Sequence, residues 1–285
     1  MKNIILSAFA DEYTKDVDGQ IAALLELGIG QIEPRFIGDR GILELSDEEL
    51  YQLRAKLDGA GIGVSSIGSP IGKISVDGDF DAHLEQARRA CIAANILGAK
   101  RIRMFSFYIP EGKTREECRD EVLRRLGALL DLADEYGVTL CHENEAKIYG
   151  ESPEQCYDLL SAFGGRLRCV FDMGNFVLGN YQPYPDGYML LRDYIEYFHI
   201  KDSLAAGAIV PPGLGEAQIA NILALHLETV PEFTVTLEPH LETFGGLNRL
   251  TDVTFDNPYK FESPEAAFTE AADRIKVILK EATAK

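Results

Sequence analysis

Tryptophan is absent, histidine is limited to 5 residues, and basic residues run short: Lys and Arg total 28 against 46 Asp and Glu. The formal charge of -18 repels phosphate backbones and anionic bilayers, so neither nucleic acid nor a membrane surface is an expected partner. Net charge does not set the field inside one cleft, and the charge of a small substrate stays open. The five cysteines (Cys91, Cys118, Cys141, Cys156 and Cys169) are odd in number and scattered. They show no spacing for a disulfide framework or a zinc knuckle, which points to a reduced, cytoplasmic setting. No apolar run reaches the roughly 18 to 20 residues of a membrane span. The first residues lead directly into a strand-like run without the pattern of a signal peptide.

What the chain does have is apolar material, 46% of 285 residues, enough for one large core, and residues 1–285 read as a single domain. Eight short β-branched runs alternate with longer segments of helical periodicity. The runs end near Phe9, Glu33, Gly68, Phe105, Glu143, Asp172, Lys201 and Glu238. Strand-then-helix units repeated eight times predict an α/β fold, a (β/α)8 TIM barrel. Several runs are almost wholly apolar until their last residue, as expected of strands covered on both faces.

Ser46 with Glu49 and Thr114 with Glu117 form capping boxes, and Ser152-Pro153 and Ser263-Pro264 put proline at the first helical position. Val17, Ile21, Leu24 and Leu25 make one apolar stripe, and Leu50, Leu53 and Leu57 another. Gly28, Gly61, Gly98 and Gly137 stand where a helix must stop before a strand. The segment 241–262 has no regular pattern and reads as an active-site loop, followed by a terminal helix carrying Phe268, Ile275, Ile278 and Leu279.

In such a barrel the active site lies at the carboxyl ends of the strands. Glu143, Asp172, His199 and Glu238 fall there on four consecutive strands, so three carboxylates and one imidazole converge. Crowded carboxylates repel unless one is protonated or a cation intervenes, and a divalent ion resolves the conflict. Mixed oxygen and imidazole ligands suit Mn, Mg, Co or Zn.

The segments Leu140-Cys141-His142-Glu143-Asn144, Phe171-Asp172-Met173-Gly174-Asn175, His199-Ile200-Lys201-Asp202, Gly213-Leu214-Gly215-Glu216 and Leu237-Glu238-Pro239 resemble the sugar phosphate isomerase/epimerase superfamily, the xylose isomerase-like barrels. The resemblance spans nearly the whole chain. It implies that Glu143, Asp172, His199 and Glu238 are the ligands of one divalent metal. It implies proton transfer on a hydroxy-carbonyl sugar, with Glu143 and Glu238 also acting as catalytic bases. Asn175 departs from the histidine often found there in the epimerase branch.

The candidate substrate contacts on the same rim are Glu33, Arg35, Arg103, Glu145, Lys201 and His240. Arginine suits a bidentate grip on phosphate or carboxylate. The competing reading is ion pairing between strand ends, Arg103 with Glu33 or Glu143 and Lys201 with Asp202. By strand alternation His142 points away from the interior that Glu143 faces, and Glu216 reads as the negative first turn of the next helix. The expected reaction is isomerisation or epimerisation of a small sugar or sugar phosphate, with a carbohydrate as partner and homo-oligomerisation left open. A lyase resembling an inosose dehydratase and a non-catalytic sugar- or metal-binding barrel are the alternatives.

Overall fold

In the computed structural model, which describes residues 3–242 and 258–284, nine parallel strands make a nearly closed barrel. Asn3–Ala8 pairs on one side with Gln31–Ile32 and on the other with Glu232–Leu237. From there the sheet runs backwards through the chain: Ile195–Ile200, Arg168–Asp172, Thr139–Glu143 and Arg101–Met104. The third run is broken. Its first piece, Gly63–Val64, pairs with Gln31–Ile32, and its second, Ile67–Gly68, with Arg101–Met104. Between them, Ser65 N–H still reaches the Ile32 carbonyl, its hydroxyl binds Ser7 and the same carbonyl, and Ser66 binds Tyr197, so side chains add to the backbone bond at the break.

The observed strand ends agree with those read from the sequence to within one residue. Both capping boxes form, at Ser46 and Thr114, and Ser152 and Ser263 cap helices with proline in the first turn. Gly61, Gly98 and Gly137 end helices in the left-handed conformation, where a side chain would be strained. The helices turn their apolar stripes to the sheet, with Leu50, Leu53 and Leu57 buried. Leu25 is the exception, 55% exposed, because successive helical residues diverge by about 100° and Leu24 takes the inward place. Of the loop expected at 241–262, residues 243–257 lie outside the described residues. No helix among the described residues is long and apolar enough to cross a membrane.

Histidines outside the barrel mouth serve packing. His142 faces outward to Ser106, and His226 lies among Tyr188, Phe198 and Phe233 with Nδ1 3.1 Å from the Tyr188 hydroxyl. Burial disfavours the imidazolium and lowers the pKa of both to about 4. Between pH 6.5 and 4 the unfolded chain therefore takes up protons that the folded chain refuses, and each such histidine removes up to about 1.4 kcal/mol of stability per pH unit lost. His226→Leu is expected to flatten this slope, read as a smaller loss of urea midpoint from pH 7 to pH 5 than in the parent protein.

Candidate metal centre

Each expected ligand sits where an apolar strand stops. Glu143 and Asp172 are the last residues of Thr139–Glu143 and Arg168–Asp172, His199 is the penultimate residue of Ile195–Ile200, and Glu238 follows Glu232–Leu237. The strand-end backbone is pinned by Asn144, whose side chain accepts from the Asp172 N–H at 3.0 Å and donates to the Asp172 carbonyl at 2.9 Å. Asp172 in turn caps the short helix Met173–Leu178 through Asn175 N–H at 2.8 Å. Gly174 allows that helix to touch the next strand, since a Cβ there would stand 2.7 Å from the Lys201 carbonyl oxygen.

The convergence is tight. One donor atom from each of Glu143, Asp172, His199 and Glu238 lies within 4.8 Å of all the others, and all four residues are buried. His199 Nδ1 is 3.2 Å from Glu143 Oε1 and 3.3 Å from Glu238 Oε2. The second oxygen of each glutamate is held by an arginine: Arg103 Nη1 donates to Glu143 Oε2 at 3.1 Å, and Arg35 Nη1 to Glu238 Oε1 at 2.7 Å. Both guanidinium groups lie over the Phe9 ring. Lys201 Nζ reaches Asp172 Oδ2 at 3.0 Å, Asn175 Oδ1 at 3.1 Å and Glu238 Oε2 at 3.3 Å.

The residues suit a divalent cation on their own chemistry. Among the described residues, Asp11, Glu12, Glu33, Glu143, Asp172 and Glu238 are six buried carboxylates joined through the cluster to three permanent cations, Arg35, Arg103 and Lys201. The excess negative charge is shared unevenly in the protein alone. Burial raises Asp172 to about 7 in spite of Lys201, and raises Glu12 to about 8 in spite of Arg35. Glu143 is drawn down to about 2 against its burial by His199 and Arg103. Burial would lower the His199 pKa, but Glu143 and Glu33 raise it well above the ordinary value. A cation of charge two among these donors relieves the same crowding without protons.

The rim residues fall out differently from the substrate contacts expected of them. Arg35 and Arg103 bind carboxylates of the protein itself, Arg35 also reaching Asp11 and Glu12. Glu33 lies fully buried beneath the cluster, bonded to Tyr197, Thr236 and His199. Lys201 pairs with Asp172 and Glu238, not with Asp202, whose oxygens accept four backbone N–H groups, from Ser203, Gly213, Gly215 and Ala217. Those bonds tie down the Gly213-Leu214-Gly215 turn, and Glu216 falls outside the next helix, Ile219–Thr229, binding Ala205 N–H instead.

Glu145 stays at the rim paired with Lys73 at 3.1 Å. His240 does reach the site, with Nε2 3.4 Å from Glu238 Oε1 and its backbone N–H on Glu12. Asp11 and Glu12, missed in the sequence, complete the group from the turn after the first strand. Their only sequence signal is position, two acids just beyond an apolar strand.

A family model described as xylose isomerase-like TIM barrel matches residues 21–276. The chain belongs to that family. No curated protein matches it by sequence. A D-tagatose 3-epimerase-like protein is similar in structure, with TM-score 0.76 at 15% identity over 100% of this chain and 99% of its own. The probable 3-DHS dehydratase AsbF of Bacillus anthracis gives 0.73 at 16% identity over 97% and 99%. A xylose isomerase-like TIM barrel protein from Mycobacterium smegmatis, in complex with magnesium, gives 0.68 at 19% identity over 99% and 98%. At these identities the likeness is one of fold.

Proposed function

We propose that this xylose isomerase-like barrel is a metal-dependent isomerase or epimerase of a small sugar or sugar phosphate, moving a proton at a carbon beside a carbonyl. The observation that carries the reading is the matched pair of glutamates: Glu143 and Glu238, three strands apart, each give one oxygen to an arginine and turn the other toward His199 Nδ1.

Glu143, Asp172, His199 Nδ1 and Glu238 would hold the metal, one of Mn, Mg, Co or Zn. When bound, such a cation supplies Lewis acidity to adjacent carbonyl and hydroxyl oxygens and so lowers the cost of losing the neighbouring carbon-bound proton. Arg103 and Arg35 fix the carboxylates so that the remaining oxygen of each points inward, where one glutamate takes the proton and the other returns one from the opposite side. Lys201, its three N–H donors held by Asp172, Asn175 and Glu238, would bring a fixed positive charge beside the substrate oxygens. Glu145, Lys73 and His240 lie at the rim and would contact the outer part of the sugar.

The structural similarity to a dehydratase favours one second reading, a lyase, because proton abstraction beside a carbonyl opens both reactions. The test is incubation of ketoses, aldoses and inososes, with and without phosphate, with the protein and Mn, Mg, Co or Zn in deuterated water. The expected result is deuterium at the carbon beside the carbonyl together with an isomer or epimer. Loss of water with a new diketone absorbance assigns the lyase, and absence of label from every sugar with every metal refutes the enzyme reading.

A further inference from the structure

A histidine that binds a metal does so through one nitrogen, and the partner of the other nitrogen fixes which. His199 has carboxylates on both sides. Nδ1 faces Glu143 and Glu238, while Nε2 lies 3.3 Å from Glu33 Oε2. Glu33 differs from the other two. It comes from the far side of the barrel, just past Gln31–Ile32, with no exposed surface. Both its oxygens are held from below, Oε1 by the Tyr197 hydroxyl at 2.9 Å and Oε2 by the Thr236 hydroxyl at 2.8 Å. The His199 ring is further confined by edge contacts with Phe9 and Tyr197 at 5.2 and 5.5 Å. A 180° ring flip would put carbons where the two nitrogens now stand and break the contacts on both sides, so these neighbours leave one orientation that serves both.

We propose that Glu33 is the positioning residue of this centre: it takes the Nε2–H of His199 and thereby presents the Nδ1 lone pair to the metal. Its own hydroxyl partners hold it as an acceptor, so that a chain of Thr236 and Tyr197 to Glu33 to His199 sets the ligand from beneath. Glu33 touches no substrate. On the metal side it meets the imidazole ring, and its effect on catalysis passes through that ring.

The inference rests on the metal reading above, and one experiment separates the two. Zinc, being diamagnetic, is titrated into the full-length protein labelled with 15N-histidine, and affinity is measured in parallel by calorimetry with zinc and with manganese. The expected result is a His199 Nε2 carrying a slowly exchanging, downfield-shifted proton, with Nδ1 bearing the metal-induced shift. Glu33→Gln, which keeps the shape and an acceptor but loses the charge, should weaken metal binding by about tenfold to a hundredfold and move that proton upfield. Thr236→Val should produce a smaller change of the same sign, and it also serves if the glutamine variant does not fold.

Absence of binding of zinc and of manganese alike in the parent protein defeats the metal reading itself. A metal-induced shift on Nε2, or undiminished affinity in a folded Glu33→Gln variant, overturns the role given to Glu33 and leaves the metal reading standing.

Discussion

Glu143→Gln and Glu238→Gln are each expected to lower kcat/KM by about 10²- to 10⁴-fold at saturating metal. Glutamine can still accept the arginine hydrogen bond at the outer oxygen position, so the scaffolds of Arg103 and Arg35 survive. It cannot take up a proton, and it is the weaker metal ligand. Metal affinity is therefore to be measured alongside, and turnover compared only where each variant is loaded. If the two glutamates serve opposite sides of the sugar, the variants differ in deuterated water. Loss of the residue that removes the proton abolishes labelling. Loss of the residue that returns one leaves label entering the starting sugar without product. Starting from the product sugar should exchange the two behaviours. A loaded variant with kcat/KM close to that of the parent protein would exclude that glutamate as a base.

That pair was legible in the sequence because each of its members interrupts an apolar run at its last position. Leu140-Cys141-His142-Glu143 and Val235-Thr236-Leu237-Glu238 become polar where a parallel strand leaves its cover of helices, which marks the carboxyl end of the barrel as their place. Strand alternation likewise gave His142 its outward direction, toward Ser106. For Arg103 the sequence offered pairing with Glu143 as one of its readings, and that pair forms, but the partners of Arg35 were not legible. Arg35 meets Glu238 across 203 residues of chain only because Asn3–Ala8 closes the barrel between their strands. Period and capping say nothing about such a meeting. The partners of Glu33 were hidden for the same reason: a strand-end acid can point toward the mouth or beneath it, and the choice depends on Tyr197 and Thr236 from strands late in the chain. Glu12 escaped notice because a single 3-10 turn, Ala10–Glu12, brings it back over the strand end it has just left.

Arg35→Met is expected to destabilise the protein by about 3 to 5 kcal/mol near neutral pH, the usual effect of removing one partner from a buried ion pair. Methionine fills much of the same space against Phe9 but leaves Asp11, Glu12 and Glu238 without the guanidinium that all three now share. The cost is electrostatic, so it should respond to charge. As pH falls, protonation discharges the stranded carboxylates, beginning with Glu12, whose burial already holds its pKa near 8 in the presence of Arg35. The gap in urea midpoint between variant and parent should accordingly narrow from pH 8 to pH 5. The measurement also decides between two uses of this arginine. A group kept for gripping an anionic substrate can be removed with a rise in KM and little change in unfolding. A group kept for holding Glu238 cannot. An unfolding curve for Arg35→Met that superimposes on the parent's, joined to a raised KM and an unchanged kcat, would give Arg35 back to the substrate and leave the orientation of Glu238 to its other partners, Lys201, His199, His240 and Arg103.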